Sequence, residues 1–217
     1  VAETAAITGY TGADAVIQLP EKLGGYPVTT VASNAFSDNT TLTTVVFSGA
    51  VSSIDSYAFS GCNNLKQLYL PSVLTQINSG AFQYCTALES VVLPDSVSYI
   101  GYRAFRECTK LSSINYPMGL TNMDSEIFRG CSSLKSITVP EGVTSIPANA
   151  FNSADYLEEV ILPETVTVIG SYAFSSCVAM KSIDLPESLT QIKDGAFHYC
   201  TALESMELPD SVSYIGY

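Results

Sequence analysis

The chain has 217 residues, 47% of them apolar and only 14% charged, so it has ample material for a core and lacks the charge-rich composition of disorder. Its 9 basic against 21 acidic residues give a formal charge of −12, which argues against nucleic acid and against anionic lipid, since both need a basic patch. No apolar run approaches the roughly 18 residues needed for membrane insertion. Val1 to Thr4 carry neither the basic start nor the apolar stretch of a signal peptide, which reads as a mature or trimmed piece. Residues 1–16 contain Gly9 and Gly12 and are expected to form a turn or small hairpin that covers the open edge of the first structural unit. That unit, an incomplete one, runs from about Ile17 to Thr41, with a Gly24-Gly25-Tyr26-Pro27-Val28 segment inside it.

After that the sequence repeats every 23 residues. Phe36, Phe59, Phe82, Phe105, Phe128, Phe151, Phe174 and Phe197 keep this period, and Ala precedes each of them except Phe128, which follows Ile127. Pro71, Pro94, Pro117, Pro140, Pro163, Pro186 and Pro209 keep it too. So do Cys62, Cys85, Cys108, Cys131, Cys177 and Cys200, with Ala154 in the one vacant slot. Units begin at Leu42, Leu65, Leu88, Leu111, Leu134, Leu157, Met180 and Leu203.

Each part of a unit has a structural meaning. Leu68 and Leu70 lie two apart, as inward residues of a strand do, and Pro71 ends that strand because it cannot donate to a ladder. Leu74 and Ile77 point inward from an extended or turn segment. Ala81, Phe82 and Cys85 fit one turn of α- or 3₁₀-helix facing the core. One such coil cannot bury its apolar edge alone, but stacked coils make a continuous core. The predicted fold is therefore a repeat solenoid of eight to nine coils with one parallel sheet and short helical or 3₁₀ turns, occupying residues 17–217.

The unit Leu88 to Lys110 matches, almost letter for letter, the pattern L-x-x-I-x-L-P-x-x-V-x-x-I-G-x-x-A-F-x-x-C-x-x. With its Ala-Phe-x-x-Cys turn and Leu-Pro strand end, the chain resembles the BspA-type leucine-rich-repeat family from about residue 17 to its end. The opening Gly24-Gly25-Tyr26-Pro27-Val28 segment is similar to the first unit of such proteins. This resemblance implies a right-handed leucine-rich-repeat horseshoe. It also implies a bacterial-type surface or secreted protein with a binding or adhesion role rather than catalysis, and it implies no particular ligand. A longer repeat overlies the short one: Gly80 to Tyr102 and Gly195 to Tyr217 agree at 20 of 23 positions, differing only at Gln83/His198, Val91/Met206 and Val92/Glu207.

The candidate chemistry is sparse. Adjacent coils would bring successive cysteines near enough for disulfides, yet their inward phase beside Phe favours buried free thiols. Zinc lacks histidine partners, because His198 is the sole histidine and falls at an exposed phase. Neither a cofactor, a metal site nor an enzyme is expected, and no Asp-x-Asp-x-Asp calcium loop is present. The informative surface is the outward face of the strands, the concave sheet of the expected horseshoe, where Val46, Gln67, Tyr69, Val92 and Asn115 are the candidate partner-binding residues. Its apolar stripe of Val46, Tyr69 and Val92 fits a partner contact, β-propensity on a flat sheet, or cover by the N-terminal segment. Outward tyrosines such as Tyr84, Tyr99, Tyr102 and Tyr199 suit protein or sugar contact, or simply cover neighbouring coils.

Charge is uneven, with a net −3 over residues 1–110 and −9 over residues 111–217. The acidic half fits basic partners or plain solvation. The expected function is an extracellular, cell-surface or secreted module that binds a host or neighbour protein or a glycan. The alternative is a structural spacer that projects another domain. The last unit stops at Tyr217, where its sister unit continues with Arg103. This predicts a truncated solenoid whose open C-terminal end could self-associate.

Overall fold

The computed structural model describes residues 3–120 and 124–217. It is a parallel β-solenoid of about nine turns. On the front, Val16–Gln18, Thr44–Val46 and Gln67–Tyr69 pair in parallel, with Thr44 opposite Gln67 and Val46 opposite Tyr69. Ser90–Val91 pairs with Ser113–Ile114, and Ser136–Thr138 with Glu159–Ile161. A second ladder runs up the back, where the sequence predicts only one sheet. It joins Tyr26–Val31, Ser53–Ile54, Gln76–Ile77 and Tyr99–Ile100, and then Ser145–Ile146, Val168–Ile169, Gln191–Ile192 and Tyr214–Ile215. Most of these back strands are two residues long, too short for alternation to reveal them.

The expected helical turn is also replaced. No α- or 3₁₀-helix occurs among the described residues. The residues two before and two after each ladder phenylalanine are left-handed instead: Gly80 and Tyr84 around Phe82 have φ of 62° and 60°, and Tyr172 and Ser176 around Phe174 have 55° and 61°. A right-handed helix cannot pass through either position. This alternation turns every second N–H toward the neighbouring coil. Gly80, Phe82 and Tyr84 each donate 2.8 Å bonds to the carbonyls of Tyr102, Ala104 and Arg106. Ala81, Gln83 and Cys85 close local turns instead, at 3.1–3.2 Å. A helix would direct all six along its own axis and leave the coils unjoined here. A non-glycine residue in the left-handed region costs about 1 kcal/mol, which one inter-coil hydrogen bond of similar size offsets. Glycine fills the first left-handed slot in two sister positions, 80 and 195. There a Cβ would also collide with the ring of Tyr57 or Tyr172 on the preceding coil.

Behind these turns the eight phenylalanines form one column. Consecutive rings lie 4.8–5.9 Å apart and within 16° of parallel. Beside the column run the cysteines, all free; five are buried and Cys200 is half-buried. Each thiol donates to the carbonyl of the phenylalanine 26 residues earlier, as Cys108 does to Phe82 at 3.2 Å. Burial raises the thiol pKa values, that of Cys62 to about 12, so these groups stay protonated and unreactive.

The N-terminal segment forms no hairpin at Gly9 and Gly12. Ala5–Ile7 instead pairs in parallel with the back strand Tyr26–Val31, while Val16–Gln18 extends the front. Ile7, Ile17 and Leu19 are buried, and the ring of Tyr10 sits 5.4 Å from Phe36. The antiparallel hairpin lies later, where Lys22–Leu23 meets Tyr26–Pro27 across Gly24 and Gly25, whose φ values are 61° and 90°.

Phe105, with neighbours at 5.4 and 5.9 Å, is the test of this core. Phe105→Ala is expected to destabilise the chain by about 3–5 kcal/mol in urea unfolding. Cys108→Ala loses only a weak S–H donor and a small volume, and is expected to cost about 1 kcal/mol. Thiol titration of the unfolded, unreduced chain is expected to count six free thiols; fewer would mean that the column is cross-linked.

Candidate binding face

The front strands alternate, so the side chains flanking the buried Val45, Leu68, Val91 and Ile114 on each strand face outward. Val46 is half-buried and lies directly beside Tyr69 in the ladder. Gln67 is exposed, Tyr69 is 56% exposed and Val92 is 78% exposed. Gln67, Tyr69 and Val92 line one shallow depression, together with Ser72, Ser90 and Pro94. Among the described residues, none of the N-terminal segment lines it; of the stripe, only Val46 has that segment beside it, opposite Gln18 in the ladder. Asn115 behaves differently. Its amide donates to the Leu93 carbonyl at 2.8 Å, and its Oδ1 accepts from the Leu93 N–H at 2.6 Å. Both of its polar groups are thus engaged in joining two coils.

The depressions have a common origin. No strand pairing links Gln67–Tyr69 to Ser90–Val91, or Ser113–Ile114 to Ser136–Thr138. A depression opens at each of these junctions, and another lies between residues 182–187 and 205–209. At the middle junction the floor and rim include Tyr116, Met118, Thr138, Pro140 and Glu141. Tyr116 holds an inward phase that leucine or valine fills in neighbouring coils, and is only 8% exposed. Its hydroxyl is buried and has no hydrogen-bond partner among the described residues. Met118, 78% exposed, stands where the adjacent coils carry Asp95 and Glu141. Sequence reasoning passed over both residues, although each departs from its phase.

Six copies of the BspA type leucine rich repeat region match residues 29–158 and 121–217. The chain belongs to the BspA-type leucine-rich-repeat family. A leucine-rich-repeat protein of T. pallidum is 33% identical, with a TM-score of 0.78 over 81% of this chain and 82% of that one. Two more distant structures share the fold. The pneumococcal vaccine antigen PcpA is 24% identical, with a TM-score of 0.58 over 97% of this chain and 70% of its own. A leucine-rich-repeat protein of Eubacterium ventriosum is 16% identical, with a TM-score of 0.61 over 98% and 87%. No curated protein matches the chain. Among the described residues, no helix is long and apolar enough to cross a membrane.

The turn side of this BspA-type solenoid holds a different kind of polar cluster. All three arginines of the chain, Arg103, Arg106 and Arg129, converge on the buried Glu126. Glu126 accepts hydrogen bonds from Arg103 Nε at 3.0 Å, from Arg129 at 3.2 Å and from the Tyr102 hydroxyl at 2.9 Å. The guanidinium of Arg103 also lies 4.4 Å from the Tyr102 ring centre. Burial opposes ionisation of Glu126, but the hydrogen bonds from Arg103, Tyr102 and Arg129 outweigh it and lower its pKa to about 2. The cluster reads as a clasp between coils, although the buried Nε of Arg106 has no hydrogen-bond partner among the described residues. His198 is exposed and packs against Tyr172 and Tyr199 with ring centres 6.3 and 4.1 Å away; no nucleophile adjoins it among these contacts.

A lowered carboxylate pKa gives stability that is fully present above the unfolded value and is lost as pH falls through the folded one. For Glu126 that window runs from about 4.5 down to about 2. Glu126→Gln is expected to cost about 2–3 kcal/mol at pH 7, because three guanidinium groups lose their anion. It is also expected to flatten the acid limb of the stability curve between these pH values. An unaltered acid limb in urea titrations would show that Glu126 does not clasp the coils.

Proposed function

We propose that the front sheet is the binding face of a cell-surface or secreted module that holds a host or neighbour protein, or a glycan. The observation that carries this reading is the pattern of apolar exposure. Tyr69, Val92, Met118 and Ile161 are each at least half exposed on the front strands or their Pro-side edge, and among the described residues only residues 67–72 and 90–94 line the Tyr69 and Val92 depression. A spacer needs no such surface, and a run of exposed apolar side chains along one face is a usual mark of association, although other exposed aromatics such as Tyr156 and Tyr199 lie off this face. The two sister units support the same face. They differ at three positions, and Val92/Glu207 changes the outward surface of the front from apolar to acidic while the turns stay almost identical. Family membership and the likeness to the T. pallidum protein agree with a binding rather than a catalytic role.

Tyr69→Ser is the direct test. Probed on a glycan and matrix-protein array, the native chain is expected to give discrete hits that the variant loses by about tenfold or more, as an exposed aromatic anchor would. Its melting temperature is expected to stay within about 2 °C of the native one, because more than half of Tyr69 is exposed. Hits that survive Tyr69→Ser unchanged would place the contact elsewhere, and the absence of any hit would return the spacer.

A further inference from the structure

We propose that the occupant of the front face is a basic protein segment, and that one of its lysine or arginine side chains seats in the depression beside Tyr116, with its stem on Met118 and Pro140 and its cation at Glu141. The inference rests on the binding role proposed for this face and names the class of partner.

Charge complementarity carries the first part. The residue that follows the strand-ending proline stands at the edge of the front sheet. It is Asp95, Glu141, Glu164, Glu187 or Asp210 in five coils, all of them exposed. The outward strand residues Glu159, Asp184 and Glu207 add to this ridge. No lysine or arginine occupies any of these phases from Thr44 to Asp210, and none of these carboxylates takes part in a salt bridge among the described residues. Coils stack at about the strand spacing of 4.8 Å, so one edge carries a row of like charges within a Debye length of one another. Self-repulsion of this kind destabilises the compact chain and attracts an oppositely charged partner.

The Tyr116 depression carries the second part. Tyr116 lines this depression, yet its hydroxyl is shut off from solvent and has no hydrogen-bond partner among the described residues, a costly state that turning the ring toward a polar partner would relieve. Burial raises the Tyr116 pKa far above its ordinary value, so the phenol stays neutral at all physiological pH. Once the ring turns into the depression, its oxygen can accept from an ammonium or guanidinium group, and its O–H can donate to a carbonyl of the same segment. The apolar side of the depression, from Ile114, Ile137, Met118 and Pro140, suits the methylene stem of a long basic side chain. Glu141 on the rim meets the charge at its end. Met118 is the one apolar interruption in the acidic edge between Asp95 and Asp210, and it falls at this depression.

The test uses a fluorescent lysine-rich 12-residue peptide, with serine-rich and glutamate-rich peptides as controls, and reads fluorescence anisotropy against the intact chain. The lysine-rich peptide is expected to bind, and its affinity to fall about tenfold between 50 mM and 500 mM salt. Glu141→Gln and Tyr116→Phe are each expected to weaken it by about three- to tenfold. Asp155→Asn, beyond the Phe151 turn, is expected to leave it unchanged. Tyr116→Phe alters no charge, so diffuse attraction to an acidic protein would not register it; thermal melting of the variant checks that the coil is intact. Equal binding of the lysine-rich and serine-rich peptides would overturn the basic partner. Native affinity in both Glu141→Gln and Tyr116→Phe would overturn the seat. If array hits lost on Tyr69→Ser prove to be neutral or acidic, only the partner class fails. If those hits are indifferent to Tyr69→Ser while Glu141→Gln still weakens the lysine-rich peptide, the apolar part of the face fails.

Discussion

Every coil of this solenoid depends on the coil beside it, and the phenylalanine column states that dependence most directly. A single 23-residue coil offers one ring and nothing to cover its two faces. Stacked rings cover each other, but only at a spacing the backbone also accepts. Strands in a ladder sit about 4.8 Å apart, whereas the rings lie 4.8–5.9 Å apart. Nearly parallel rings at such distances must slide sideways, which is the arrangement their quadrupoles prefer. The column therefore tolerates the strand spacing instead of setting it, and the hydrogen bonds of the turns and back ladder fix the stack.

That division explains what the sequence does and does not disclose. The 23-residue period, the inward phases and the buried free thiols are all visible in the letters, because burial selects residue type and repetition amplifies the signal. The shape of the Ala-Phe turn is not. Spacing i, i+1, i+4 fits a helix as well as a flattened turn. What separates them is the left-handed backbone at residues such as Tyr57, Arg103 and Tyr172, which are ordinarily poor in that region. Their conformation is imposed by the neighbouring coil, through a hydrogen bond that no local propensity reflects. The two-residue back strands escape notice for the same reason: they exist only as pairs.

The proposed binding face was legible in part. Alternation along the strand placed Gln67, Tyr69 and Val92 outward, and they surround one depression. The same rule brought in Asn115, whose outward phase conceals an amide engaged on both sides with Leu93. Phase predicts direction but not whether a polar group already has partners. The depressions themselves follow from lapses in the front ladder, a property of pairs of coils. Tyr116 and Met118 could have been found by asking which residues break their own phase, since a tyrosine in a leucine slot must either find a partner for its hydroxyl or leave it open.

The distribution of charge then sets the two long faces of the molecule apart. A chain with a formal charge of −12 gains most by scattering its few arginines among its carboxylates. This one gathers all three on Glu126 at the turns, with Glu107 also 4.0 Å from Arg106, so that they clasp adjacent coils and leave the front edge unneutralised. The lysines are no substitute, since Lys66, Lys110, Lys135 and Lys181 lie at the start of the units or just before it and not among the outward front phases. The acid edge is thereby left with its full field, next to the most exposed apolar side chains of the front. The row of carboxylates at the Pro-side edge, beside the exposed side chains of Tyr69, Val92, Met118 and Ile161, combines a long-range attraction with short-range contacts, which favours fast encounter and then retention of a partner.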